Sequence, residues 1–265
     1  MSLFKIANFL LNIKVKTSEL EEYWGNFEQS KRNSSKWIFT FVILQFNDVN
    51  KDIAYVNLPK NLQYVMKVNE KMMLVDKDYY TAYVQQANKN VYSTFLCYLF
   101  YAHAVQRHMI QFHSSLIDYQ GHGLMFLGPS GIGKTTQAEL WNQYRNALII
   151  NGDIVFVQET EEAFLGWGTP WHGSSPYCEN TNVPVEALII LKQAPENSIR
   201  KLEGFEKVTA VSNSVFYPRW LENGMELCLE TLDHLLSKIP VYELSCRPDE
   251  EAVALTEKII FGGEN

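Results

Sequence analysis

The densest chemical signal in the chain is an unbroken run of eight residues, Gly128-Pro129-Ser130-Gly131-Ile132-Gly133-Lys134-Thr135. It fits the pattern G-x-x-x-x-G-K-[ST], in which glycines let successive backbone N–H groups curl around phosphate oxygens while a helix N-terminus adds partial positive charge. In that pattern the Lys134 amine reaches the β- and γ-phosphates and the Thr135 hydroxyl ligates Mg²⁺. Gly128, Ser130, Gly131, Ile132, Gly133, Lys134, Thr135 and Thr136 are thus the expected nucleotide contacts. Such a site also needs an acid at the end of a neighbouring strand. Ala147-Leu148-Ile149-Ile150-Asn151-Gly152-Asp153 supplies one, nineteen residues after Lys134. Read without chemistry, the loop would be a glycine-rich turn, and Asp153 would cap its own loop.

The flanking sequence predicts the elements that hold these groups. His113 to Asp118 reads as a strand, followed by a turn at Gln120-Gly121-His122-Gly123 and an apolar strand, Leu124 to Leu127. A helical pattern runs from Lys134 to about Tyr144, and a second apolar strand from Ala147 to Ile150. Strand, loop, helix, strand is a βαβ unit, which predicts that the two apolar strands are parallel neighbours. Further strands are expected at 154–158, 163–167, 185–191 and 241–245, and helices at 204–214 and 224–238. A last helix opens at Pro248-Asp249-Glu250-Glu251, where acidic residues suit the positive end of the helix dipole. In the first hundred residues Gly25 is the only glycine. There Trp37 to Phe46 reads as a strand, Lys71 to Val84 as a hairpin turning at Asp76-Lys77-Asp78, and Val91 to His108 as a buried helix. The organisation expected is a small α+β region over 1–105 and an α/β domain with a mixed sheet over 106–265.

Composition narrows the function classes. The 265 residues are 46% apolar, enough for a packed core, and 30 acidic against 23 basic side chains give a formal charge of −7. An acidic chain lacks the basic face that nucleic-acid binding needs. No apolar run approaches the ~20 residues that cross a bilayer. The opening MSLFKIANFLLNIKVKT lacks a small-residue cleavage site, so it is not read as a signal peptide. Cys97, Cys178, Cys228 and Cys246 form no CxxC pair and read as thiols in a reducing cytosol. The expectation is a cytoplasmic protein with no membrane and no nucleic-acid partner, and with scope for homo-oligomer formation.

The stretch His113 to Asp153, HSSLIDYQGHGLMFLGPSGIGKTTQAELWNQYRNALIINGD, resembles the catalytic core of HPr kinase/phosphorylase and its relatives. Its glycine loop and early acid are also similar to those of the phosphoenolpyruvate carboxykinases. Bacterial HPr-kinase-like proteins share further features. These are Pro129 to Trp141, the segment Gly168-Thr169-Pro170-Trp171-His172-Gly173, the strand Ile189 to Gln193 with its Glu196-Asn197 turn, and Ile239 to Cys246. The likeness covers roughly residues 105 to 262. It implies an α/β core of that type and an ATP- and Mg²⁺-dependent kinase, with a hydroxyl of a peptide, a protein or a small metabolite as acceptor. Position by position, it gives Lys134 and Thr135 the nucleotide and metal roles. Asp153 contacts Mg²⁺ and accepts the hydroxyl proton, and His113 tunes that acid. Two departures stand out. Many relatives have two adjacent Asp where this chain has Gly152-Asp153, and the EIRG-type signature with a metal-binding Glu is absent. A nucleotide-binding module without transfer activity, a sensor or partner protein, is therefore the alternative. Trp171 and His172 fit either a ligand-facing loop or an aromatic packing turn. Arg200 and Arg219 are candidates to neutralise transition-state charge, and surface arginines otherwise.

Overall fold

A computed structural model of the chain describes residues 2–14, 20, 22–29, 39–44 and 61–262. It divides into two compact units, Met1–His103 and Ala104–Asn265. The class is α/β, with helices and two mixed sheets.

The first unit contains β1 (Ser2–Ile6), β2 (Phe9–Lys14), β3 (Glu28–Gln29), β4 (Phe39–Leu44), β5 (Leu62–Val68), β6 (Lys71–Asp76), β7 (Thr81–Gln85) and α1 (Lys89–Ala104). Its strands run in the order β3-β1-β2-β4-β7-β6-β5, with β4 parallel to both neighbours. The expected hairpin is β6–β7. Its turn is held by Asp76, whose Oδ1 and Oδ2 accept from the backbone N–H of Tyr80 and Thr81 at 2.7 and 2.9 Å. Of the strand expected over Trp37 to Phe46, Phe39–Leu44 is β4, and Trp37, Ile38, Gln45 and Phe46 lie outside the described residues. The helix expected to reach His108 stops at Ala104. A 3-10 turn follows, and His108 adopts a left-handed φ of 51° that ends it.

The second unit contains β8 (Met109–Tyr119), β9 (His122–Leu127), α2 (Lys134–Arg145), β10 (Leu148–Asn151), β11 (Ile154–Glu159), β12 (Phe164–Trp167), β13 (Asn182–Gln193), β14 (Ser198–Lys201), α3 (Gly204–Ser212), β15 (Val215–Phe216), α4 (Gly224–Lys238), β16 (Val241–Cys246) and α5 (Glu250–Phe261). The two long strands organise the rest. The C-terminal half of β8 pairs with β9, which pairs in parallel with β13. The N-terminal half of β8 pairs with β11, which reaches β13 through β12. Beyond β13 lie β16, parallel to it, and β14 at the edge.

The expected parallel adjacency of β9 and β10 is not what forms. The Gln120-Gly121 turn folds β9 back as a hairpin on one edge of β8, and β10 takes the other edge. Both therefore run antiparallel to β8, and the parallel partner of β9 is β13. β10 and β11 follow β8 as one strand interrupted at Gly152-Asp153. That interruption is where the acid sits.

α2 is anchored by what it buries. Ala138 and Trp141 enter a core with Phe126, Ile189, Leu191 and Leu244 of the sheet and Ala252 and Val253 of α5. Tyr119 meets the Trp141 ring edge-on at 5.1 Å, and its hydroxyl donates to Glu257 Oε1 at 2.6 Å, while Arg145 Nε donates to Glu257 Oε2 at 2.6 Å. α5 starts as expected at Asp249, whose side chain accepts from Ala252 N. All four cysteines are buried, and among the described residues no helix is long and apolar enough to cross a membrane.

Because Trp141 is wholly buried beneath α2, Trp141→Ala should cost about 3–5 kcal/mol of stability. A lowered urea midpoint in circular dichroism would register it. A loss below ~1 kcal/mol would mean that α2 is not held by this packing.

Candidate functional site

The glycine loop joins the buried end of β9 to the first turn of α2. Gly128, Gly131 and Gly133 have φ of 141°, 79° and 115°, backbone states that side chains resist, so the glycines are required by the path of the loop. Lys134 is only 6% exposed, and its Nζ donates to the carbonyls of Gly128 and Pro129 at 3.1 and 3.2 Å. Burial pulls its pKa below the ordinary lysine value, and the Asp153 carboxylate partly restores it. Its own carbonyl accepts from Ser115 Oγ at 2.9 Å, which ties α2 to β8. Ser130 and Thr136 are exposed, and Ile132 is half-buried.

Thr135 faces the interruption between β10 and β11, donating from Oγ1 to the Gly152 carbonyl at 3.2 Å. Asp153 lies across from Ser114, whose N–H donates to the Asp153 carbonyl at 2.9 Å. His113, one residue earlier on β8, brings Nε2 to 3.0 Å from Asp153 Oδ1, and both side chains are 29% exposed. Lys134, Thr135, Asp153 and His113 thus converge from a loop, a helix start and two strands. The arrangement can bind an anion against the loop and hold a proton between an imidazole and a carboxylate.

Asn151 is the residue that sequence reasoning missed. It is fully buried, and its Oδ1 accepts from the N–H groups of Asp153 and Ile154 at 2.9 and 3.0 Å. Its Nδ2 donates to the carbonyls of Thr169 and Trp171 at 3.1 and 3.0 Å. One amide therefore shapes the turn bearing the acid and fastens the 168–173 segment to it. In sequence, Asn-Gly signals only a turn.

The 168–173 segment divides the two expectations held for it. Trp171 is buried against Phe156, with ring centroids 5.9 Å apart, and His172 Nδ1 meets the Ser175 carbonyl, so both belong to the packing. Gly173 instead abuts the site, because a Cβ there would stand 2.2 Å from Asp153 Oδ2. A Cβ on Gly152 would likewise stand 1.8 Å from Ser175 Oγ. The single carboxylate thus has a steric basis.

Arg200 is exposed and spent on Glu243, at 3.0 Å, and on Glu206, at 2.9 and 2.5 Å. Arg219 is exposed on the segment before α4. Neither lines the two cavities beside the loop. The smaller, about 340 Å³, lies between the first turn of α2 and the ends of β13 and β16, with Arg247 at its rim. The larger, about 800 Å³, runs from Gly128 and Pro129 along α3 to Ser214. Arg247 had no signal in the sequence; it is also paired to Asp249 and Glu251 at 2.8 and 2.7 Å.

These features define an α/β protein with a glycine loop at a helix start and an acid–imidazole pair beside it. Residues 83–249 match the family model described as SynChlorMet cassette protein ScmC, and the chain belongs to that family. Among solved structures it is similar to the HPr(Ser) kinase/phosphatase from Coxiella burnetii, at 11% identity and a TM-score of 0.34, over 56% of this chain and 95% of that one. No curated protein matches the sequence.

If the close approach of Gly152 to Ser175 is what limits the site to one acid, Gly152→Asp should destabilise the fold by about 1–3 kcal/mol through overpacking. Adding Ser175→Gly should recover much of the loss in thermal unfolding. A single variant as stable as the parent would show that position 152 has room to spare.

Proposed function

We propose that this protein is a phosphotransferase that uses ATP and Mg²⁺ and delivers the γ-phosphoryl group to a hydroxyl. The observation that carries the reading is the meeting of a glycine loop, left-handed at three glycines, with a His113-paired Asp153 and the Thr135 hydroxyl. Phosphoryl transfer needs chiefly positioning and charge neutralisation, so few side chains suffice.

The residues present fit the groups the reading requires. Around Gly131 and Gly133 there is open space where side chains would stand, leaving room for an anion against the loop backbone. The donor set for Mg²⁺ is the Thr135 hydroxyl and the Asp153 carboxylate, hard oxygens of the kind that ion takes sparingly from protein. When bound, Mg²⁺ would neutralise phosphate charge.

The chain's own residues do the rest. The Lys134 amine exchanges the Gly128 and Pro129 carbonyls for phosphate oxygens, a charge-assisted contact in a poorly solvated place. Asp153 accepts the proton of the attacking hydroxyl, and His113 Nε2 orients the carboxylate from the other side. Asn151 fixes the backbone of that acid. The second reading is a nucleotide-binding module without transfer, and the specific observation in its favour is the lone carboxylate beside Gly152.

Asp153→Asn preserves shape and removes charge and basicity. With ATP and Mg²⁺ saturating, transfer should fall by ~10²–10⁴-fold while ATP stays bound. ADP release with candidate acceptors would measure this. Turnover at the parental rate would remove Asp153 from the chemistry, and a parent that binds ATP but transfers to no acceptor would favour the binding module.

A further inference from the structure

We propose that the larger cavity is the acceptor subsite, and that it selects a peptide whose seryl or threonyl hydroxyl is flanked by a large apolar side chain. This rests on the phosphotransferase reading and names its substrate class.

Position is the first ground. The cavity is lined by Gly128 and Pro129 of the loop and by Asn213 and Ser214. The Ser214 carbonyl accepts from the backbone N–H of His113 at 2.8 Å. A molecule seated there touches the start of the glycine loop and Ser214, the residue bonded through its backbone to the histidine of the acid–imidazole pair.

The wall supplies the second ground. Its depth is lined by Ile132, Ile190, Leu202 and Ala210, with Phe205 at the mouth. The Phe205 ring is 85% exposed, an apolar surface that gains from being covered. The carboxylates on the wall are already neutralised, Glu243 by Lys192 at 2.5 Å and by Arg200, and Glu206 by Arg200. Thr209 Oγ1 donates to the Phe205 carbonyl and Asn213 Nδ2 to the Thr209 carbonyl.

Little unpaired charge is left for a cationic ligand, and a polyol seated against the apolar wall would set its hydroxyls on hydrocarbon. A volume of about 800 Å³ accommodates side chains of a short peptide. The polar residues of the lining, Thr209, Asn213 and Ser214, suit main-chain amides, which a plain hydrocarbon would leave unmatched. In the step itself, the bond between the γ-phosphorus and its bridging oxygen breaks and one to the seryl oxygen forms. The hydroxyl proton passes to Asp153, and ADP leaves.

The test offers the full chain, ATP and Mg²⁺ with acetyl-Lys-Phe-Leu-Ser-Leu-Lys-amide, the same peptide with its three apolar residues replaced by Gln, or glycerol. The apolar peptide should be used at least tenfold better in kcat/KM. Ala210→Trp, which obstructs the cavity with an indole, should erase that preference through KM with ATP affinity unchanged, and Phe205→Ser should do so in part and serve if the first variant fails to fold. Equal use of both peptides, or transfer to glycerol alone, would overturn the cavity assignment and leave the phosphotransferase reading standing. Binding of the apolar peptide with Ala in place of Ser, measured directly, separates the remaining cases. Tight binding to the parent and at least tenfold weaker binding to Ala210→Trp, without transfer, would keep the cavity and refute the transfer. Absence of binding to the parent would overturn the cavity.

Discussion

Everything at this site depends on a two-residue break in one strand. β10 and β11 both follow β8, and between them, at Gly152 and Asp153, the regular pairing lapses to a single bond, from the Ser114 N–H to the Asp153 carbonyl. A break in a buried strand strands backbone amides that must find partners. Asn151 resolves this by taking the Asp153 and Ile154 amides onto one side-chain oxygen, while its nitrogen goes to the 168–173 segment. With that amide in place the backbone of the break is satisfied, and the Asp153 carboxylate meets His113. Losing it would orphan several buried groups together, each at a cost of about 1–3 kcal/mol.

The same economy governs the loop. Lys134 is nearly buried, so its charge is costly unless oxygens surround it. The Gly128 and Pro129 carbonyls fill that need, and Asp153 adds an opposing charge. A ligand phosphate would replace neutral carbonyls with a charged partner, which gives the exchange a direction. The tie from Ser115 to the Lys134 carbonyl and the burial of Trp141 hold the start of α2 while it occurs. Gly173 closes on the acid, and Gly152 on Ser175, at distances no side chain would permit.

Local signals made much of this legible. The glycine run between an apolar strand and a helical pattern told where the loop lies, and Gly-Asp after the next apolar run told where an acid would stand. α4 begins and ends where its apolar period does, and Asp249 caps α5 as its sequence indicates. What was not legible depends on partners distant in sequence. A hairpin of β8 and β9 displaces β10 across β8, and no propensity in β10 announces it. The role of Asn151 arises from carbonyls 18 and 20 residues away. Trp171, in a segment that fitted a ligand-facing loop and a packing turn alike, is packing, and what decides it is Phe156, fifteen residues earlier in the chain.

The central claim is that the glycine loop is built around an anion that Lys134 neutralises. Calorimetric titration of ATP with Mg²⁺ into the parent and into Lys134→Ala tests it most directly. Loss of a charge-assisted contact should cost about 1.5–3 kcal/mol, weakening Kd by roughly 10- to 150-fold. Equal Kd values for the two proteins would contradict the account.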